Sequence, residues 1–94
     1  MSYFVYMITK KRNGTLYTGM TNDLSRRIEE HKLGIGSGFA SKYKCNLLVY
    51  AERFESLEEA FMRERSLKRF HRKWKLELIE KMNPDWDDLS KRWL

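Results

Sequence analysis

Short apolar runs separated by polar turns open the chain. Tyr3 to Ile8, "YFVYMI", is rich in β-branched and aromatic residues and predicts a strand. Asn13-Gly14 then marks a two-residue hairpin turn, since both residues tolerate positive φ, and Thr15 to Met20 is the returning strand. Asn22 or Asp23 offers an N-cap for a helix that ends at Leu33, before Gly34. A glycine-rich basic loop, "GIGSGFASKYK", leads to a third strand at Asn46 to Tyr50. "SLEE", Ser56 to Glu59, fits a capping box and opens a longer helix to about Phe70, which continues or breaks before "KWKLELIEK". Asn83-Pro84 reads as N-cap and first residue of a short closing helix. The order ββαβαα predicts an α+β fold: a small three-stranded antiparallel sheet flanked by helices.

Two helices carry polar residues where an amphipathic pattern calls for aliphatic ones. Counting about 100° per residue from Leu24 puts Arg27, Ile28 and His31 on one face. The same count from Leu57 gives a stripe of Leu57, Ala60, Phe61 and Leu67, with Glu64 at its middle. A carboxylate centred on an apolar stripe needs a cation or a metal to offset its desolvation. In the hairpin, a two-residue turn pairs residues whose numbers sum to 27, so Tyr17 faces Lys10 and Gly19 faces Ile8. That parity sets Tyr6, Tyr17 and Gly19 on one face, with a hollow at the glycine. Each residue has an ordinary alternative: tyrosines as core rings, His31 at a helix end, Arg27 and Glu64 as a structural ion pair.

Composition narrows the setting. The 94 residues suffice for one domain, taken as 1–94, and 14% of them are aromatic. No apolar run approaches a membrane span, and the first ten residues read as an amphipathic strand, not a signal peptide. The single Cys45 leaves no intrachain disulfide, which fits a reducing cytoplasm. The net charge is +6, and residues 63–75 hold seven Lys/Arg against one Glu. A polyanion is the expected partner, nucleic acid ahead of membrane. On the second helix, Arg65, Lys68, Arg69 and Arg72 step away from the stripe toward successive phosphates beside Glu64, and Ser37 and Lys42 of the glycine-rich loop close on the same backbone.

"FVY" (Phe4 to Tyr6), ten residues, then "YTG" (Tyr17 to Gly19) resembles the paired motifs of the GIY-YIG endonuclease superfamily. Arg27 follows the second tyrosine by ten residues, His31 comes four later, and Glu64 matches the family's metal-binding glutamate. Phe4 and Thr18 depart from the motif letters, Met20 replaces the lysine of the repair enzymes, and Asn83 is the candidate for a late asparagine. The resemblance spans about the whole chain and is closest to the short stand-alone bacterial branch. It implies a metal-dependent endonuclease acting on DNA phosphodiester bonds in repair or recombination. By that resemblance Glu64 holds Mg²⁺ or Mn²⁺, Arg27 holds the phosphate, Tyr6 or Tyr17 orients or deprotonates water, and His31 relays a proton or supports a tyrosine. Two other readings stand beside it: a nucleic-acid-binding module without turnover, and an adaptor for a protein partner.

Overall fold

A computed structural model describes residues 1–35, 38 and 42–93. Strands β1 (Tyr3–Thr9), β2 (Leu16–Thr21) and β3 (Leu47–Phe54) form one antiparallel sheet with β1 at its centre. Helix α1 (Leu24–Lys32) follows the hairpin, and α2 (Leu57–Arg69), α3 (Arg72–Met82) and α4 (Ser90–Trp93) follow β3. The expected α+β architecture is therefore the observed one. The third strand runs four residues further than the pattern predicted, to Phe54.

Helix boundaries follow the caps. Asp23 accepts a hydrogen bond from the Arg26 amide and opens α1. Beyond its last residue Gly34 takes φ 79, and the Ile35 amide bonds back to the Glu30 carbonyl. That reversal favours glycine, as the sequence pattern required. Ser56 caps α2 through the Glu59 amide. Phe70 is extended, with ψ 141, so α2 and α3 are separate helices.

The sheet is buried on both faces along β1, from Val5 to Thr9. Tyr6 and Ile8 pack with Leu24 and Ile28 of α1, and with Cys45, Leu48, Ala51 and Leu89. Val5 and Met7 pack on the opposite face with Ala60, Leu67, Ile79 and Trp86. A β-bulge keeps β3 in step with both layers. Met7 pairs with Tyr50 and Ile8 with Leu48, leaving Val49 as the extra residue on the side of Tyr50.

Three expectations need correction. The hairpin loop is not two residues but runs from Lys10 to Thr15, with a turn closed by the Gly14 amide on the Lys11 carbonyl. Asn13 takes φ 60, and paired residues sum to 25: Tyr6 faces Gly19 and Ile8 faces Tyr17. The loop is longer by an even number, so the predicted shared face of Tyr6, Tyr17 and Gly19 survives. On α2 only Ala60 and Leu67 of the apolar stripe are buried, while Leu57 and Phe61 are exposed. The sheet is narrow and meets only part of that helix face.

Asn83, expected to cap a closing helix, instead ends α3. Its side chain is buried, with Nδ2 donating to the carbonyls of Val49 and Asp87 and Oδ1 accepting from the Asp87 amide. All three groups are occupied in holding the 83–87 turn to β3. The closing helix begins only at Ser90. There Asp88 accepts from Lys32, Ser90 and the Leu48 amide, tying α1, β3 and the C-terminal segment together.

Candidate active site

Tyr6 and Gly19 are directly opposed across the β1–β2 ladder. A Cβ on Gly19 would lie 2.5 Å from Tyr6 Oη and 3.0 Å from Tyr17 Cε2. The hollow expected at the glycine is thus filled by the Tyr6 phenol, which no larger residue at position 19 would admit.

Helix α1 brings His31 against both tyrosines. Its ring centroid stands 5.9 Å from Tyr6 and 5.6 Å from Tyr17, and the two tyrosine rings are 6.4 Å apart. Tyr6 Oη and His31 Nε2 share a buried hydrogen bond of 3.0 Å. The imidazole is only 5% exposed, and Nδ1 has no hydrogen-bond partner among the described residues. Leu24 and Ile28 seat the same helix face in the core, so the odd polar residue on that stripe is aimed at the tyrosines.

One turn before His31, Arg27 has 39% of its side chain exposed, donates to Glu30 at 3.2 Å and interacts with the Tyr6 phenol. Glu64 reaches the cluster from α2 with a side chain only 16% exposed. Its carboxylate pairs with Lys68 at 3.6 Å. The Arg27–Glu64 structural pair that the sequence left open is therefore not formed; each takes a neighbour on its own helix.

The electrostatics separate the two buried partners. Burial pushes the Tyr6 phenol well above the usual tyrosine range, Tyr17 and Glu64 push the same way, and Arg27 opposes them. His31 is held below the ordinary histidine value, first by burial and then by Arg27, with Glu30 pulling the other way. A protonated phenol thus faces a neutral imidazole near neutral pH. Both shifts oppose simple transfer from Oη to Nε2, so the pair can relay a proton only when Oη takes up another as it gives its own.

The donor set bears on a metal. Among the described residues no three His, Cys, Asp or Glu side chains converge as a cage. A magnesium ion does not need one: it commonly takes one or two carboxylates and completes its shell with water and substrate phosphate. Glu64, largely buried beside Tyr6 and paired among the described residues with Lys68 at 3.6 Å, fits that single-ligand role.

The basic residues divide. Arg72 is the first residue of α3, and its Nη2 donates to the carbonyls of Asn13 and Gly14 at 2.6 and 2.9 Å. It clamps the hairpin turn and does not continue the α2 series, because the chain breaks at Phe70. Arg63 is likewise held by Glu52 at 2.8 Å. Arg65 lies over the exposed Phe61 ring, Lys68 pairs with Glu64 of the cluster, and Arg69 is exposed on the same helix. Lys42 is exposed over the Tyr43 ring. Ser37 lies outside the described residues. Lys44 belongs to the basic loop read from the sequence, but its meeting with Lys10 and Lys11 around one hollow is not legible there; their separation along the chain hides that grouping.

Comparison with known proteins follows the same lines. The GIY-YIG catalytic domain pattern matches residues 2–82. UPF0213 proteins of Staphylococcus aureus, SAV0488 among them, are 39% identical over 79 residues, covering 84% of this chain and 95% of theirs. The solution NMR structure of the UPF0213 protein BH0048 from Bacillus halodurans superposes with a TM-score of 0.60 at 31% identity, covering 97% of this chain and 96% of that one. With its paired tyrosines, Arg27, His31 and Glu64 on the elements just described, this chain belongs to the GIY-YIG family, a family of nucleases.

Proposed function

We propose that the protein is a divalent-metal-dependent endonuclease that hydrolyses DNA phosphodiester bonds in repair or recombination. The observation that carries the reading is the convergence of Tyr6, Tyr17, Arg27, His31 and Glu64 from four elements around one glycine. Core packing alone gives no reason to bury a histidine nitrogen without a partner next to two phenols.

Hydrolysis adds water across one P–O bond. The water oxygen attacks phosphorus, the bond to the leaving oxygen breaks, the attacking water sheds a proton, and the leaving oxygen takes one up from solvent. Tyr6 suits acceptance of that proton only if it gives up its own, because a phenol pushed upward by burial does not stand as phenolate. Neutral His31 at 3.0 Å receives it. The relay is water to Tyr6 Oη, and Tyr6 Oη to His31 Nε2. Tyr17 lines the cluster and orients the water. Arg27, partly exposed at the rim, grips the phosphate and offsets the charge that builds on its oxygens. When bound at Glu64, Mg²⁺ or Mn²⁺ supplies Lewis-acid stabilisation of the phosphoryl oxygens. Lys68 is the cation that keeps the carboxylate company otherwise.

The test is Glu64→Ala, assayed on plasmid and on branched, duplex and single-stranded oligonucleotides with added Mg²⁺ or Mn²⁺. Cleavage should fall by orders of magnitude while the thermal melt stays close to the parent's. Metal binding to the parent, followed directly by calorimetry, should be absent from the variant. Undiminished cleavage by the variant, or its unfolding, would make Glu64 a structural anion and defeat the assignment.

A further inference from the structure

We propose that lysines at the hairpin end of the sheet form a second track for a nucleic-acid backbone, leading to His31. The proposal rests on the nuclease reading and deepens it by naming a substrate-holding surface away from α2. Two adjoining hollows lie beside the segment that precedes β3. Lys10, Lys11, Lys42, Tyr43 and Lys44 line one of them. His31, Lys32, Lys44 and Asn46 line the other. Among the described residues no acidic side chain lines either hollow.

Lys32 is neutralised by Asp88 at 2.8 Å. Lys10, Lys11, Lys42 and Lys44 make no ion pair among the described residues. Side chains of one sign lining a common hollow attract a polyanion to it. The segment that carries them is fixed. Buried Cys45 donates its thiol to the Thr15 carbonyl at 3.6 Å, and the Asn46 amide bonds to the Thr9 carbonyl at 3.1 Å.

Lys44 gives the argument its edge. Its backbone sits at φ 54, a left-handed conformation that glycine adopts freely and lysine does not. A glycine there would ease the backbone, yet the position carries a cation shared by both hollows. Strained backbone of this kind concentrates at ligand-holding positions. The occupant fits a phosphodiester backbone better than a lipid surface, because the lysines line concave hollows and not a flat or apolar face. Exposed Tyr43 beside Lys42 adds an aromatic ring of the sort that accompanies such grooves. His31 lines the second hollow and also hydrogen-bonds Tyr6, so the track runs up to a residue of the cluster.

The experiment compares the parent with Lys44→Gly and with the triple variant Lys10→Ala, Lys42→Ala, Lys44→Gly. Binding of labelled duplex and labelled single-stranded DNA is followed by fluorescence anisotropy across salt concentrations, with EDTA present so that cleavage plays no part. Each lost phosphate contact should flatten the slope of log affinity against log salt by about 0.9 on duplex and about 0.7 on single strands. The triple variant should lose about two to three such contacts. Lys44→Gly should melt at or above the parent's temperature and still bind more weakly. A triple variant that stays folded and keeps the parent's affinity and slope on both probes overturns the track. A parent that binds through these lysines but never cleaves supports the track while the nuclease reading fails, so the two are separable.

Discussion

The two faces of β1 are built to different standards. On one, Val5 and Met7 meet Ala60, Leu67, Ile79 and Trp86, an apolar layer closed by α2, α3 and the 83–87 turn. On the other, Tyr6 and Ile8 meet α1, and the layer admits a phenol, an imidazole and a glycine gap. Every other residue of one strand serves stability and the alternate ones lead into the site. In a domain this small the same strand has to do both, and the period of two is what keeps the jobs apart.

The sharpest way to break the contrast is to remove one hydroxyl. Tyr6→Phe keeps the ring under Gly19 but ends the relay to His31, so cleavage should fall about 10²- to 10⁴-fold. The barrier then rises by about 3–5 kcal/mol. Unpairing Nε2 should also cost on the order of 1–3 kcal/mol of stability, read by urea unfolding. A variant that cleaves at the parental rate would place the proton path elsewhere.

Leu67→Ala on the opposite face should show the reverse pattern. Emptying a fully buried position costs about 2–5 kcal/mol of stability. Turnover per folded molecule should hold, which single-turnover kinetics corrected for the folded fraction would show.

Gly19→Ala tests the point where the two demands meet. The new Cβ would fall 2.5 Å from Tyr6 Oη, so the phenol must shift. Overpacking of this sort costs about 1–3 kcal/mol, and here the rate should fall with it because the displaced group is Tyr6. Stability lost at constant rate would mean that the phenol's position is unimportant to catalysis.

A pH profile reads His31 by itself. His31 in the folded chain lies below its ordinary value of 6.5, so the native state binds its proton later than the unfolded chain does. Its neutral form persists to below 6.5, and the acid limb of the rate profile should fall there. Its contribution to stability is complete above 6.5 and drains away as pH drops through the lowered folded value. His31→Gln should remove that acid limb, and an unchanged profile would detach it from His31.

Arg27→Lys sharpens the comparison differently, since Arg27 belongs to neither packed layer. It should lose much of its rate with no stability change, because an ammonium cannot reproduce the planar fork of a guanidinium on phosphate.

Much of this was written in local sequence. Ser56 through Glu59 and Leu33-Gly34 fix helix ends because capping is settled within a few residues. The spacing of Leu24, Arg27, Ile28 and His31 predicts a polar pair on the core-facing side of α1; His31 is buried there, while Arg27 stays partly exposed at the rim. The shared face of Tyr6, Tyr17 and Gly19 followed from parity, which an even change in loop length leaves alone. What lay beyond reach was every quantity set by distant groups. The hairpin register moved by two because Asn13 and Gly14 became part of a longer loop held by Arg72, some 58 residues away in sequence. Leu57 and Phe61 stayed exposed because the width of the sheet, not the period of the helix, limits what α2 can bury. Asn83 reads as a helix start until Val49 and Asp87 claim its side chain. Capping and side-chain alternation are decided by neighbours along the chain, so sequence alone determined the order of the strands and main helices, the position of His31 on α1 and the tyrosine face of the hairpin. Which cations are spent on internal contacts, and which lysines from Lys10 to Lys44 meet in one hollow, depends on contacts between segments far apart, and only the tertiary structure decided it.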